Sequence, residues 1–363
     1  MTLQEIRAEI DRIDQQIVDL LNRRARLSVE VGQLKREQAG PGQEPMVYQP
    51  EREVQVFANV IAANQGPLPN RALESIYREI LSSSRALQRR LKVGYLGPVG
   101  TFAFEAARVQ FGSDATYVPC RTIADVFAEA EKQTVDFGVV PVENSTEGAV
   151  NHTIDRFLET DLRICAEIAL PVSHFLLSRG SLDTITQVYS HPQALAQCRR
   201  WLAEHLPHAT QVQTASTALA AQMATDPNTA AISPEAASEV YNLPIIARHI
   251  EDVSTNVTRF LVIGPQQAAR SGRDRTAIVF GVHDRTGALF TALKSLAEND
   301  INLTHIESRP SRRRLWEYVF FVDLDGHPDD ERVRVALDQL RNGCTFVRVL
   351  GAWPVSATGA PVP

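Results

Sequence analysis

Residues 2–37 follow the apolar and polar pattern of one long helix. The apolar positions recur at spacings of three, four or seven and form one stripe: Ile6, Ile10, Ile13, Ile17, Leu20, Leu27, Val31 and Leu34. At about 1.5 Å per residue, such a helix is about 50 Å long. A small monomeric domain cannot bury a stripe of that length, so the pattern predicts a helix that packs against a second chain.

Two shorter helical patterns follow a Gly- and Pro-rich loop at 38–47, so residues 1–92 are predicted to form an all-α domain. At Val93 the pattern changes to short apolar runs with helical stretches between them. These runs are VGYL, DFGVVPV, AEIALPVSHFLL, QVYS, TAAIS and TRFLVIG. The alternation predicts an α/β domain over residues 93–265, with largely parallel strands in one sheet or in two lobes that face a cleft.

The C-terminal part, residues 275–353, follows a linker at 266–274 and has the order strand, helix, strand, strand, helix, strand. This βαββαβ order is typical of a ferredoxin-like α+β domain. The tail at 354–363 is rich in Pro, Gly and Ala and is predicted to be disordered.

Composition narrows the class of protein. The 363 residues are 44% hydrophobic and 22% charged, as in a globular chain of two or three domains. The net charge of −6 argues against a nucleic-acid partner, and the lack of a long uncharged apolar run argues against a membrane span. Four scattered cysteines and an N-terminus without an apolar signal region indicate a reducing compartment, so we expect a cytoplasmic protein.

The first helix carries cations that suit a small anion. Arg24 and Lys35 are eleven residues apart, which places them about 20° apart in azimuth and about 16 Å apart along the axis. A solvated basic face is the simpler interpretation of the charges alone, but two long side chains on one face also converge on one ligand. Arg7 lies about 25 Å from Arg24 and points elsewhere. In an antiparallel dimer, Arg7 would reach the site of the other chain.

Over residues 1–92 the chain resembles the all-α chorismate mutase domain at seven positions: Arg7, Arg24, Lys35, Arg52, Glu53, Ser84 and Gln88. The resemblance implies an intertwined helical dimer that rearranges chorismate to prephenate. It implies that the substrate carboxylates are held by Arg24 of one chain together with Arg7 of the partner subunit. Lys35 and Gln88 would donate to the ether oxygen of the breaking bond, Glu53 would bind the ring hydroxyl, and Arg52 and Ser84 would complete the pocket. Where the family usually has Asp, this chain has Gln49.

The chemistry agrees with this resemblance. A pericyclic rearrangement needs no nucleophile, metal or cofactor, and we expect none. A dianionic substrate needs at least two cations, for which arginines are well suited. Preorganised donors would stabilise the charge that builds on the departing oxygen.

The central domain lacks the fingerprint of a nicotinamide enzyme, because Gly94, Gly97 and Gly100 give G-x-x-G-x-x-G. It has instead polar clusters at the ends of strands or the starts of helices: Thr101, Asn144, Ser145, Ser190, Ser216, Asn256, Thr258 and Arg259. Each alone is most simply a turn or capping residue, Ser216 above all. Together they predict a polar cleft for an anion.

The segments YLGPVGTF, VVPVENSTEGAVNHT, SHPQALAQC and NVTRF resemble prephenate dehydratase, in that order, over residues 93–265. The resemblance implies two periplasmic-binding-protein-like lobes that enclose prephenate and release phenylpyruvate, water and carbon dioxide. It makes Thr258 the residue most closely tied to activity, and we interpret its hydroxyl as a hydrogen-bond donor to the leaving ring hydroxyl. Arg259 either binds a substrate carboxylate or forms a structural ion pair.

The C-terminal domain resembles an ACT regulatory domain, with Gly287, Ala288 and Leu289 at the start of its first helix. Glu307, Ser308, Arg309 and Pro310 match the companion motif of phenylalanine-regulated dehydratases. The resemblance implies that L-phenylalanine binds between paired domains and inhibits. Physically, a helix N-terminus offers N–H groups to a carboxylate, and Glu307 could pair with an ammonium group.

Two alternatives stay open at this point. The dehydratase could act on arogenate, or the chain could be a non-catalytic regulator that only senses amino acids. The partners expected from the first interpretation are chorismate, prephenate, L-phenylalanine and further copies of the chain, as a homodimer or a higher homo-oligomer.

Overall fold

The computed structural model describes residues 1–38, 45–310 and 318–355. Most of the predicted loop at 38–47 and of the predicted disordered tail lies outside these ranges. The chain forms two compact units, of which the first contains residues 1–49, 55–91 and 111–116, and the second contains the remainder. In the described ranges, no helix is both long and apolar enough to cross a membrane.

The first unit is helical, as its sequence predicts. Its helices are α1 (Leu3–Gln38), α2 (Pro50–Ala63, whose first turn groups with the second unit) and α3 (Asn70–Gln88). A capping box begins α1: the Thr2 amide donates to Glu5 Oε2 at 2.7 Å, and the Glu5 amide donates to Thr2 Oγ1 at 3.3 Å. Within α1, which is described in full, only Gly32 is buried.

The second unit contains two sheets. The first has the order β13-β14-β12-β15-β5-β11-β3-β1-β2, with β4 paired to β3, and the second has the order β10-β6-β9-β7-β8. The strands of the first sheet are β1 (Lys92–Leu96), β2 (Thr116–Cys120), β3 (Phe137–Asn144), β4 (Gly148–Ala149), β5 (Arg163–Pro171), β11 (Val257–Gly264), β12 (Asp274–Gly281), β13 (Leu303–Pro310), β14 (Tyr318–Asp325) and β15 (Phe346–Pro354). Those of the second are β6 (Phe175–Ser178), β7 (Gln187–Ser190), β8 (Thr210–Gln213), β9 (Thr229–Ser233) and β10 (Ile245–Ala247).

Helices connect these strands and cover the sheets. They are α4 (Phe102–Phe111), α5 (Ile123–Glu131), α6 (Asn151–Arg156), α7 (Pro192–Gln197), α8 (Arg199–His205), α9 (Thr217–Met223), α10 (Glu235–Tyr241), α11 (Ala288–Ala297) and α12 (Glu331–Gly343). The two sheets confirm the two-lobed α/β arrangement, and the order β12-α11-β13-β14-α12-β15 confirms the βαββαβ domain.

Two details of the sequence prediction are wrong. The sheets are mixed, since β11 runs antiparallel to both of its neighbours, β3 and β5. The apolar run AEIALPVSHFLL is two strands in different sheets, because β5 ends at Pro171 and β6 begins at Phe175. Proline cannot donate to a ladder and so favours a strand end. Residues 172–174 therefore carry the chain from one lobe to the other.

The βαββαβ domain continues the first sheet through β15. Gly351 pairs with Ile164 of β5 in parallel, and a Cβ atom at Gly351 would lie 2.2 Å from the Ile164 carbonyl oxygen. Arg163 also donates to the Val349 carbonyl, and Arg348 donates to the Thr160 carbonyl at 3.3 Å. The domain with the β12–β15 strands and the two-lobed domain therefore share one sheet.

Candidate active sites

The helical site begins with a contact between α1 and α3. Arg24 is half-buried and donates through Nη1 to the hydroxyl of Ser84, which in turn donates to the Ile80 carbonyl at 2.6 Å. This contact joins two residues that the sequence assigned to one pocket. It also holds the Arg24 guanidinium at a fixed place on the helix surface, as the binding of a carboxylate requires.

Lys35 and Gln88 lie on the same two helices, α1 and α3. Lys35 follows Gly32 by one turn of α1, and Gln88 of α3 lies beside Gly32. Lys35 Nζ donates to the Met46 carbonyl at 2.9 Å and to Gln49 Oε1 at 3.2 Å. Gln88 packs on Gly32, where a Cβ atom would lie 2.8 Å from Gln88 Cγ. Gln88 Oε1 is buried and has no hydrogen-bond partner among the described residues. Gln88 is therefore placed at the helix contact, where its carbonyl oxygen is an unsatisfied acceptor.

The other predicted residues of this site are Arg7, Arg52 and Glu53. Arg7 is exposed near the start of α1, Arg52 is exposed and Glu53 is half-buried in the first turn of α2. All eight residues of the apolar stripe of α1 are exposed in the single chain, and so are three further apolar residues of this helix, Leu3, Val18 and Leu21. Such a long apolar surface is typical of a contact with another molecule.

The second site lies where β3 ends beside the start of β11. Thr258 of β11 is the cross-strand partner of Asn144 of β3. Asn144 Nδ2 donates to Thr258 Oγ1 at 2.8 Å and to Asn256 Oδ1 at 2.8 Å. Asn144 and Asn256 are buried, at 9% and 5% exposure. Three of the polar residues predicted from separate motifs thus form one hydrogen-bonded group.

The Asn144 amide fixes the role of the Thr258 hydroxyl. Asn144 Oδ1 accepts from the backbone N–H groups of Thr146 at 3.0 Å and Glu147 at 3.2 Å, so its carbonyl side faces these two donors. Its NH₂ group must then face Thr258, which accepts. A hydroxyl has one hydrogen, and that of Thr258 donates to none of the described residues. Thr258 therefore presents a donor.

The remaining predicted residues of the cleft have local partners. Ser145 Oγ accepts from the Val257 amide at 3.0 Å and so ties the two strand ends together. Thr101 Oγ1 lies 3.0 Å from the Pro98 carbonyl and accepts from the Phe104 amide. Ser190 is buried and donates to the Ile232 carbonyl at 2.7 Å, and Ser216 caps α9 through the Leu219 amide. For Ser216 the capping interpretation is the one that the contacts support.

Arg259 lies in a cluster of buried charges. Its Nε forms an ion pair with Glu167 of β5, and its Nη2 contacts Asp323 Oδ2 of β14 at 2.5 Å. Burial lowers the pKa of Arg259, but the charges of Asp323 and Glu167 outweigh it and raise the pKa above its usual value. The contacts favour the structural ion pair over the substrate contact that the sequence also left open.

Two polar residues that the sequence reasoning passed over meet where the chain crosses between lobes. His174 is buried, and its Nε2 lies 2.7 Å from Gln197 Oε1. Burial lowers the pKa of His174, which favours the neutral ring. Its ring also stands edge-on to Phe102, next to Thr101. Gln197 belongs to the segment SHPQALAQC, so it could have been selected as a candidate from that motif.

The first and second sheets also meet through α4 and α10. Arg108 and Glu239 form an ion pair at 2.8 Å, and the Tyr241 hydroxyl donates to the Val99 carbonyl at 2.6 Å. Burial, together with the charge of Glu235, raises the pKa of Glu105 to about 7, although Arg108 lowers it. A carboxyl group that titrates near neutral pH therefore lies between the lobes.

The βαββαβ domain has a pocket of about 230 Å³ at the start of α11. Gly287, with φ of +78°, precedes α11 and lines this pocket with Ala288, Leu289 and Phe290. Tyr318 and Phe320 of β14 also line it. Three of the predicted effector residues are therefore together.

The other three predicted effector residues lie on β13 and do not line that pocket. Glu307 and Arg309 are half-buried, whereas Ser308 is exposed on the opposite face. Arg309 Nη1 contacts Asn151 Oδ1 at 2.5 Å, and Nη2 contacts Asp155 Oδ1 at 3.3 Å, both on α6. Within this chain, Arg309 thus joins the βαββαβ domain to the two-lobed domain.

Three family models match successive parts of the chain. A chorismate mutase type II family model matches residues 6–89, a prephenate dehydratase model matches residues 93–268, and an ACT domain model matches residues 276–342. Bifunctional chorismate mutase/prephenate dehydratases of Aquifex aeolicus and Stutzerimonas stutzeri are 46% and 43% identical to the chain. Each alignment covers 97% of this chain, and 98% and 97% of the two relatives.

A solved structure is similar over three quarters of the chain. The prephenate dehydratase of Arthrobacter aurescens in complex with L-Phe is 35% identical, with a TM-score of 0.68 over 75% of this chain and 92% of that one. The fold and the two sites define an enzyme with two activities, a mutase and a dehydratase, and a regulatory domain. The chain belongs to the family of the bifunctional chorismate mutase/prephenate dehydratases.

Proposed function

We propose that the helical site and the strand-end site carry the two family reactions separately, with the residue roles given below. The observation that carries the dehydratase assignment is the group of Asn144, Asn256 and Thr258, because its hydrogen bonds leave the Thr258 hydroxyl as a donor. Prephenate is primed to aromatise. The ring hydroxyl leaves as hydroxide while the electron pair released with carbon dioxide completes the aromatic ring, and the hydroxide takes a proton from solvent to become water. A neutral hydroxyl that donates a hydrogen bond to the leaving oxygen is therefore sufficient.

In the helical site, we assign the binding of a chorismate carboxylate to Arg24, which Ser84 holds in place. Lys35 and Gln88 are assigned to the ether oxygen of the breaking bond, where negative charge develops. The packing of Gln88 on Gly32 at the α1–α3 contact supports this role, because it holds in place the side chain whose NH₂ group would donate. A preorganised ammonium and amide would then stabilise the transition state more than the ground state.

We further propose that two copies of the chain pair through α1. The exposed apolar stripe supports this pairing because it extends along a helix of about 54 Å and has no cover in the single chain. In an antiparallel pair of these helices, Arg7 of the partner subunit would reach the pocket that contains Arg24. The mutase pocket would therefore be complete only in the dimer.

L-Phenylalanine is the proposed effector, and the pocket at the start of α11 is its proposed site. The backbone N–H groups of a helix start suit a carboxylate. Phe290 and Tyr318 line the pocket and are 72% and 48% exposed, which leaves aromatic surface for a paired domain to cover. The complex of the Arthrobacter aurescens relative with L-Phe supports this ligand.

One set of assays tests these assignments. The purified chain is incubated with chorismate and, separately, with prephenate or arogenate, and phenylpyruvate and phenylalanine are measured over time, with and without added L-phenylalanine. We expect phenylpyruvate from both chorismate and prephenate, and less of it when L-phenylalanine is present. Turnover of arogenate in preference to prephenate would identify the alternative substrate, and no turnover of any substrate would contradict the proposal.

A further inference from the structure

We propose that Asp323, a residue of the regulatory domain, is a positioning residue for the dehydratase reaction and acts through Arg259. The proposal rests on the assignment of the dehydratase site to Asn144, Asn256 and Thr258. It adds to that site a carboxylate from a different domain of the chain, which neither contacts the substrate nor takes part in the chemistry.

The Arg259 guanidinium is held from both domains. Its Nε is bound by Glu167 of β5, its Nη2 lies 2.5 Å from Asp323 Oδ2, and its Nη1 lies 4.0 Å from Glu143. Its side chain is 14% exposed. A planar guanidinium that binds carboxylates on two edges has a fixed position and orientation.

The carboxylate of Glu167, which binds Arg259, also accepts hydrogen bonds from two residues of the regulatory domain. Glu167 Oε2 accepts from Arg275 Nη1 at 2.9 Å and from Trp353 Nε1 at 3.0 Å. Glu167 and Asp323 are only 5% and 6% exposed. Removing one partner from such a buried group leaves an uncompensated charge, so the remaining side chains and the backbone that carries them must shift.

The backbone that carries Arg259 is the start of β11, which forms part of the proposed dehydratase site. Arg259 follows Thr258 directly, and its cross-strand partners are Glu143 of β3 and Ala169 of β5. The register of β11 against β3 is irregular between Arg259 and Phe260, whereas its register against β5 is regular there. The main chain at this point is therefore held by a regular ladder on one side only, and the Arg259 side chain adds to that support. Successive side chains of a strand point to opposite faces, so Arg259 positions Thr258 through the main chain.

The test compares Asp323→Asn with Asp325→Asn in the full-length protein. Both substitutions remove one charge from the same face of β14, but Asp325 contacts Asn302 at 3.1 Å and is not among the partners of Arg259. We expect Asp323→Asn to lower the dehydratase kcat for supplied prephenate by about 10- to 100-fold, as for a displaced catalytic group, with KM changed less than about threefold. Asp325→Asn and the mutase kcat should stay within about twofold of wild type.

Arg259→Gln identifies the route. If Asp323 acts through Arg259, adding Asp323→Asn to Arg259→Gln changes the dehydratase kcat by less than about twofold. A full additional loss in the double variant would overturn the proposal, as would a higher KM at an unchanged kcat, which would indicate that Arg259 binds substrate. If Asp323→Asn does not fold by circular dichroism, Asp323→Ser replaces it, since it removes the same carboxylate from Arg259 with a smaller side chain. An unchanged dehydratase kcat in that variant would then overturn the proposal.

The wild-type assay separates the two levels of inference. Wild-type protein that forms no phenylpyruvate from prephenate would contradict the proposed function. Active wild-type protein together with a fully active, folded Asp323→Asn variant would contradict only the role of Asp323.

Discussion

At the scale of single residues, the proposed dehydratase site depends on which atom of each polar group donates. The Asn144 amide is fully used by two backbone donors and two side-chain acceptors, so Thr258 can only accept from it. The activity of this site should therefore depend on a hydroxyl group at position 258 rather than on any acid that loses its proton.

The first prediction separates the hydroxyl of Thr258 from its shape. Thr258→Val keeps the shape but loses the donor, so the dehydratase kcat should fall by about 100-fold or more, in the range found for lost transition-state donors. Thr258→Ser keeps the donor and should retain most of the activity. Phenylpyruvate formation from supplied prephenate measures both, and mutase turnover is the internal control. Equal activities of the two variants would exclude the hydroxyl from the mechanism.

The second prediction concerns Lys35. Lys35→Met removes the ammonium group but keeps an unbranched side chain, so the mutase kcat should fall by about 100-fold or more. Dehydration of supplied prephenate should be unchanged, because its residues lie in the other unit. Loss of both activities in the folded variant would contradict the assignment of two separate sites.

The third prediction is a dependence of stability on pH from Glu105. Its pKa is about 7 in the folded chain and near 4.5 when the chain is unfolded, so between these pH values the folded state binds more protons. Stability from this group is present at low pH and is lost as the pH rises towards 7. Glu105→Gln should therefore raise the thermal midpoint of the second unit more at pH 8 than at pH 5. An equal difference at both pH values would show that Glu105 does not titrate in this window.

Lone charged residues explain what the sequence could not predict at this scale. Thr258, Asn256 and Asn144 lie in recognisable segments, and the structure brings them together. Glu167 is the one carboxylate of the apolar segment AEIALP, and Asp323 is the first of two in VFFVDLDG, far away in sequence. A carboxylate within a buried strand requires a cationic partner, so the sequence of each strand indicates that such a partner exists. The identity of that partner depends on how the strands pair.

At the scale of elements, the sequence predicts the extent of single helices and strands better than their place in a sheet. The long helical period predicted α1 to within a residue at each end, since nothing interrupts it. In contrast, AEIALPVSHFLL gave no sign that it belongs to two sheets apart from Pro171, because both halves are apolar. Local pattern determines an element, whereas its assignment to a sheet depends on distant partners.

The fourth prediction uses the contact between α1 and α3. Gly32→Ala should favour the helix by up to about 1 kcal/mol, yet its Cβ would lie 2.8 Å from Gln88 Cγ and displace that side chain. The mutase kcat should therefore fall by about tenfold or more without a loss of thermal stability. Gly343→Ala is the control, since Gly343 ends α12 and a Cβ there has nothing within 4 Å. In a Gln88→Ala background, Gly32→Ala should have no further effect.

At the scale of the whole molecule, the fifth prediction tests the paired α1 helices. Arg7→Ala and Lys35→Ala are each expected to inactivate the mutase, and the two proteins are mixed under conditions that exchange subunits. If Arg7 serves the pocket of the partner subunit, one pocket of a mixed dimer has both lesions and the other has neither.

Random exchange makes half of the dimers mixed, so about a quarter of the mutase sites should regain activity. Subunit exchange is followed by mass spectrometry on differently tagged chains. Exchange without any recovered mutase turnover would place Arg7 in the pocket of its own chain and contradict the paired helices.

The shared sheet has a consequence for making strains that overproduce phenylalanine. Cutting the chain after residue 265 would seem the direct way to remove feedback control. The cut would remove β15 from the edge of β5, and Asp323, Arg275 and Trp353 from the charges of Arg259 and Glu167. A truncated enzyme would then lose catalysis along with its inhibition. Substitutions at Gly287 and Ala288 in the proposed effector pocket leave the sheet whole, and we expect them to be the better route to an enzyme that L-phenylalanine does not inhibit.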